Sequence, residues 1–162
     1  MKLQAYCRSL VRGAKTNFYY AFVFLPKAKR DAIYSAYAFS RYTDDIVDNA
    51  ADAHAASAEL ADWRNELEAC YAGAASHPIG LSLQQTLQLF PIPQQHFSDL
   101  VDGVEMDLET TRYETFEDLR ESCYRVASVI GLICIEIFGY SHPRTKEYAV
   151  SLGIALQLTN IL

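Results

Sequence analysis

Proline and glycine are scarce, 5 and 7 in 162 residues, which leaves little material for the many turns of an all-β domain. Positive charge is also in short supply: 14 Lys and Arg against 20 Asp and Glu give a net charge of −6, which argues against a nucleic-acid footprint. The longest apolar run, Val126 to Ile135, is broken at Glu136 and falls short of the roughly 18 residues a membrane-spanning helix needs. Lys2, Arg8, Arg12 and Lys15 neither follow nor flank a long apolar run, so no signal peptide is visible. Cys7, Cys70, Cys123 and Cys134 show no metal-ligand spacing and read as small apolar core residues in a reducing cytosol. His54, His77, His96 and His142 are scattered, and no glycine-rich phosphate loop or nucleophile elbow occurs. The expectation is a cytoplasmic protein, with contact to a membrane surface left open.

What is present points to helices. A chain of 162 residues with 51% hydrophobic and 21% charged residues can bury the core of one domain without a staple. Lys27 to Asn49 carries Ala28, Ala32, Ile33, Tyr34, Ala36, Tyr37, Ala38 and Phe39 with few polar interruptions, so this helix is expected to be buried on most sides. Further helices are expected over Ala53–Ala75, Leu81–Leu89, Gln94–Met106 and Phe116–Phe138, and after His142-Pro143. Glu109 to Phe116 reads as a loop. The last helix is still apolar and periodic at Leu162, with no cap or basic last turn, and this gives the expectation of a domain cut short.

Charge is unevenly distributed. Residues 1–30 hold seven Lys or Arg and no acid, whereas residues 31–162 hold seven against twenty acids, a net of −13. An anionic ligand should therefore meet the amino-terminal end or an ion held by the acids. Asp44-Asp45-Ile46-Val47-Asp48 lies inside the apolar helix, and Asp44 and Asp48 are one turn apart on one face. Like charges at that spacing repel, so folding alone does not ask for them. Mg²⁺ does, because it takes one or two carboxylates and completes its shell with water and phosphate oxygens. Tyr37, Arg41, Asp44 and Asp48 form one stripe, in which Arg41 either forks onto a phosphate or neutralises Asp45 or Asp48.

Lys15-Thr16-Asn17-Phe18 places donors ahead of the aromatic run Tyr19, Tyr20 and Phe22, an arrangement that suits an anionic head with an apolar tail. Gln157 and Asn160 share a face of the last, very apolar helix. They read either as ligand contacts or as helix–helix hydrogen bonds. The acids Asp99, Asp102, Glu105, Asp107, Glu109, Glu114, Glu117, Asp118 and Glu121 read as a solvated face.

Together, Lys15–Phe22, Leu25-Pro26, Tyr34–Asp48 (YSAYAFSRYTDDIVD), Tyr124–Gly131 (YRVASVIG) and Leu156–Leu162 (LQLTNIL) resemble the squalene/phytoene synthase family of head-to-head prenyl synthases. Met106-Asp107-Leu108, Thr111-Arg112-Tyr113 and Ile135 to Tyr140 look closest to its presqualene-diphosphate-forming bacterial branch, that of hopanoid pathways. The resemblance implies an all-α, isoprenoid-synthase-type bundle around a central cavity. It implies that Asp44 and Asp48 hold Mg²⁺ on a prenyl diphosphate and that Arg41 binds the diphosphate. Lys15, Thr16, Asn17 and Phe18 would cover the head group, with Tyr37 in the catalytic site. Gln157 and Asn160 would belong to a second motif whose aspartates follow beyond Leu162.

The implied reaction joins two farnesyl diphosphates into presqualene diphosphate without NADPH, with released diphosphate as the base. Phytoene or dehydrosqualene synthesis is the nearest alternative, and a non-catalytic assembly module is the alternative of another class. Ser122-Cys123 stands where the family commonly has Tyr-Cys, which weakens any transfer of a catalytic tyrosine to Ser122. The 162 residues alone are expected to be inactive, and their oligomeric state is not legible.

Overall fold

The computed structural model describes residues 2–13, 22–109 and 112–161. Among them run eight α-helices and one π-helical turn, with no strand, as the scarcity of turn formers suggests. The helices are α1 (Lys2–Gly13), α2 (Lys27–Asn49), α3 (Ala53–Ala72), α4 (Pro78–Leu89), α5 (Gln94–Glu109), α6 (Phe116–Cys123), α7 (Val129–Phe138) and α8 (Thr145–Ile161). The π turn, Tyr124–Ser128, joins α6 to α7. The expected single helix from Phe116 to Phe138 is therefore continuous but widened in its middle by the longer-range hydrogen bonding of a π segment.

The helix ends follow local chemistry. Asp52 caps α3 by accepting from the Ala55 amide at 2.8 Å, and Gly73, at φ 78°, closes it. The turn at Gly73 needs a left-handed residue, so α3 stops short of the expected Ala75. α4 starts earlier than expected because Pro78 occupies its first turn and His77 Nδ1 accepts from the Ile79 amide. Thr115 and Asp118 form a reciprocal capping box for α6.

α2 is the central element and packs against α1, α3, α4, α5 and α7. Its buried side, Ala32 to Ala36, Ala38, Phe39, Thr43 and Ile46, extends around most of its circumference, as its sequence predicts. Phe39 stacks on Trp63 at 4.9 Å and meets Phe97 edge-on at 5.1 Å. Trp63 donates its indole N–H to Thr43 Oγ1 at 3.0 Å, and Thr43 donates in turn to the Phe39 carbonyl. This buried exchange fixes the rotation of α2 one residue before Asp44, because an unpaired indole or hydroxyl would be costly there. Cys7, Cys70 and Cys123 are buried, Cys134 is partly buried and all four are free thiols, in line with the core reading. No helix among the described residues is long and apolar enough to cross a membrane.

α8 crosses the π turn at close range. A Cβ on Gly153 would stand 2.4 Å from Ser128 Cα and 2.6 Å from its amide nitrogen, and Ser128 Oγ donates to the Val150 carbonyl at 2.7 Å. The obstructing atoms are backbone and cannot swing aside. Gly153→Ala is expected to lower stability by roughly 1–3 kcal/mol, the range for overpacking. Urea unfolding monitored by far-UV circular dichroism measures it.

Candidate functional site

Two adjoining spaces lie beside α2. The first, about 240 Å³, is apolar, with Phe22, Ile33, Ala36 and Tyr37 on one side and Leu100, Val126, Ile130, Ile133 and Cys134 on the other. The second, about 370 Å³, is a polar groove lined by Arg41, Asp44, Val47, Asp48, Val104, Asp107, Val126 and Gln157. Asp44 and Val126 border both. The sequence stripe is thereby split. Tyr37 faces the apolar cavity, Arg41 and Asp48 face the groove, and Asp44 stands at the join. Ser40 lines the cavity beside them, and its buried hydroxyl has no hydrogen-bond partner.

Burial pushes the Asp44 carboxyl up to about 6, against the opposing pull of the Arg41 guanidinium; the carboxylates of Asp48, Asp45 and Asp107 push it further. Arg41 reaches Asp45 at 2.5 Å and Asp48 at 3.8 Å, so the counter-ion arrangement is formed while Arg41 also borders the groove. Asp107, on α5, is likewise raised by desolvation, opposed by a hydrogen bond from Tyr113. The Tyr113 hydroxyl lies 3.3 Å from Asp107 Oδ1 and 2.8 Å from Ser122 Oγ.

The sequence reading placed Asp107 on a solvated face, yet it lines the groove. Its helical offset from Asp99, Asp102 and Glu105 could have hinted that α5 presents more than one acidic face, but which face meets α2 depends on packing. Asp99, Asp102 and Glu105 also differ from the expected free surface. Arg64 holds Asp102 and Glu105, each at 2.6 Å, and Arg125 holds Asp102 at 3.0 Å and Glu121 at 2.8 Å. Asp99 lies at the edge of the same network, 4.0 Å from Arg125.

Gln157 borders the groove from α8, whereas Asn160 is exposed and donates to Gln157 Oε1 at 3.4 Å. The amides therefore pair along their own helix rather than across to another. Lys15, Thr16, Asn17 and Phe18 lie outside the described residues. Ser122 is buried against Tyr113.

The residues fit a hard divalent cation in part. Among the described residues no three His, Cys, Asp or Glu side chains gather closely enough to hold a metal ion by themselves. Asp44, Asp48 and Asp107 nevertheless bring oxygen donors to one groove, and Asp44 carries a desolvated charge that a cation would relieve. Such a donor set suits an ion that keeps water and ligand phosphates in its shell.

The raised Asp44 value has a signed consequence for the metal-free protein. Below pH about 4 the group is protonated both folded and unfolded, so its full contribution to stability is present. As pH rises, the unfolded chain ionises first, and stability is lost until the folded group titrates near 6. Asp44→Asn is expected to stabilise the metal-free protein by roughly 1–3 kcal/mol near neutral pH and by almost nothing below pH about 4. Thermal and urea unfolding in chelator across that interval checks both sign and window.

The family model for squalene/phytoene synthase matches residues 11–162. A phytoene synthase of Arthrospira platensis is 37% identical over 96% of this chain and 55% of its own length. A phytoene synthase of Mycobacterium tuberculosis is 38% identical over 98% of this chain and 53% of its own. Among solved structures, a squalene synthase HpnC from Alicyclobacillus acidocaldarius superposes with a TM-score of 0.90 at 32% identity, covering 98% of this chain and 60% of that one. A dehydrosqualene synthase in complex with ligand gives 0.85 at 33% identity, with 99% and 56% covered. The chain spans about half the length of the curated relatives it matches. With its all-α architecture and the match over nearly its whole length, the chain belongs to the squalene/phytoene synthase family.

Proposed function

We propose that this chain forms part of a prenyl synthase domain that condenses two prenyl diphosphates head to head, with farnesyl diphosphate as substrate and presqualene diphosphate as product. The observation that carries this reading is the position of Asp44 between an apolar cavity and an acid-lined groove. A molecule with a hydrocarbon tail and a diphosphate head needs both environments side by side. Asp44 and Asp48, with Asp107 across the groove, would hold Mg²⁺ on the head group, and the ion would supply neutralisation of charge on the departing diphosphate.

Arg41 turns from Asp45 toward the diphosphate and binds it as a planar fork. Tyr37 offers an aromatic face to the allylic cation left when the C1–O bond breaks and its electron pair leaves with diphosphate. The double bond of the second prenyl diphosphate attacks that carbon. A proton lost from the same carbon passes to released diphosphate as the cyclopropane closes. Lys15, Thr16, Asn17 and Phe18 cover the head group, and Gln157 and Asn160 approach it from α8. The curated relatives that carry the name phytoene synthase favour a second reading, the same condensation on a longer prenyl diphosphate.

The test is titration of the protein with the non-hydrolysable analogue farnesyl thiodiphosphate, with and without Mg²⁺. Binding is expected to require Mg²⁺ and to be lost in Asp48→Asn without loss of helical signal. Binding that ignores both the ion and the substitution would overturn the proposal. Arg41→Lys is expected to weaken binding by roughly 1.5–3 kcal/mol, the value of a charged hydrogen bond; equal affinity would leave Arg41 as an internal counter-ion only. The groove carboxylates come from α2 and α5, while α8 contributes an amide. Residues 1–162 alone are therefore expected to bind the analogue yet form no presqualene diphosphate from farnesyl diphosphate, as product extraction and chromatography would show.

A further inference from the structure

One aromatic side chain in the connection between α5 and α6 ties the two helices together beside the groove. Tyr113 lies four residues past the end of α5 at Glu109 and three before the start of α6 at Phe116. Its hydroxyl is 3.3 Å from Oδ1 of Asp107, in the last turn of α5, and 2.8 Å from Oγ of Ser122, in the last turn of α6. The chain just after Tyr113 is held in place. The Thr115 amide donates to Asp118 Oδ2 at 3.1 Å and the Asp118 amide donates to Thr115 Oγ1 at 3.2 Å, so the entry to α6 is fixed two residues on.

The two ends of the tie differ in character. Ser122 is buried, at 6% exposure, and stands two residues before the π turn begins at Tyr124. Its short side chain leaves room for the Tyr113 hydroxyl; a longer one at this buried position would fill that space. Asp107 lines the groove together with Asp44 and Asp48. An ionised carboxylate only accepts, so the single phenol proton goes to Asp107, and the rotating Ser122 hydroxyl can donate to the phenol oxygen in turn. The bond engages Oδ1 and thereby restricts the rotation of the Asp107 side chain.

We propose that Tyr113, seated on Ser122, is the positioning residue of the cation site: it fixes the Asp107 carboxylate in the orientation in which, with Asp44 and Asp48, it receives a divalent cation. Tyr113 acts through Asp107 and touches neither the ion nor the substrate. An aspartate without such a partner samples several rotamers, and that freedom is lost when an ion binds. A side chain already held by a hydrogen bond loses less, which is why the partners of metal-ligating carboxylates matter nearly as much as the ligands. α6 supplies none of the described residues that line the groove, yet through Ser122 and Tyr113 it bears on the cation site. This role rests on the reading of the groove as a site for Mg²⁺ and a prenyl diphosphate.

The experiment measures cation affinity rather than turnover. Mn²⁺, a paramagnetic stand-in for Mg²⁺, is titrated into the protein with farnesyl thiodiphosphate present, and free Mn²⁺ is read by electron paramagnetic resonance. Tyr113→Phe keeps the ring and removes the hydroxyl. It is expected to raise the Mn²⁺ concentration at half-saturation about tenfold or more, with an unchanged circular dichroism spectrum and with parental affinity for the analogue once the cation saturates. Ser122→Ala, which removes the seat of the phenol, is expected to shift the midpoint in the same direction and by less. Asp107→Asn is expected to weaken cation binding at least as much as Tyr113→Phe, and the double variant no further, because the effect passes through the carboxylate. Equal cation affinity in Tyr113→Phe and a parent that binds Mn²⁺ and the analogue together would overturn the positioning role and leave the reading of the groove intact. Losses that multiply in the double variant would also overturn it, since Tyr113 would then act by another route. A parent whose analogue binding ignores the cation would overturn both the positioning role and the reading on which it rests.

Discussion

A carboxylate held at the edge of an apolar cavity is the constraint around which the molecule is arranged. Asp44 sits on a helix that is buried on most sides, and burial raises its carboxyl to about 6. The surrounding core must therefore be strong enough to hold α2 in place despite the repulsion among Asp44, Asp45 and Asp48. The Phe39, Trp63 and Phe97 cluster, with the buried Trp63 to Thr43 hydrogen bond, supplies that hold immediately beside the acidic turn. Destabilisation stored at a prospective binding site and offset by packing elsewhere is a recurrent pattern in functional sites.

The other acids are handled differently. Asp102, Glu105 and Glu121 are neutralised by two arginines from neighbouring segments, Arg64 and Arg125. These pairs are partly exposed and contribute modestly to stability one by one, but they settle which acids of α5 are occupied. Asp107 instead lines the groove, and the Tyr113 hydroxyl lies 3.3 Å from its Oδ1. The acids that Arg64 and Arg125 hold form a network of their own, whereas Arg41 pairs with Asp45 and Asp48 at the groove.

The π turn links these two regions. Within five residues it sends Arg125 outward to Asp102 and Glu121 while Val126 lines both the cavity and the groove. Its last residue, Ser128, forms the floor on which Gly153 rests and so sets the height of α8 over the groove. Where α8 rests decides that Gln157 borders the groove and that Asn160, less than a turn further, stays in solvent.

Much of this was legible in the chain itself. The scarcity of proline and glycine, the nearly all-round apolar character of Lys27–Asn49 and the one-turn spacing of Asp44 and Asp48 pointed to an all-α fold with two carboxylates on one face of its central helix. These are local properties, set by the helical repeat and by side-chain chemistry. The sequence also marked Ser122 as a departure from the family's usual tyrosine. Three things were decided only by tertiary structure. Asp107 borders the groove, and which acids of α5 do so is set only when α5 meets α2 and the arginines choose their partners. The stripe of Tyr37, Arg41, Asp44 and Asp48 divides between two spaces, because neighbouring helices wall off one part and leave the other open. The helix through Tyr124–Ser128 widens into a π turn where Gly153 brings α8 against its backbone. Each of these outcomes depends on which surfaces of distant segments come into contact, and helical periodicity carries no record of that.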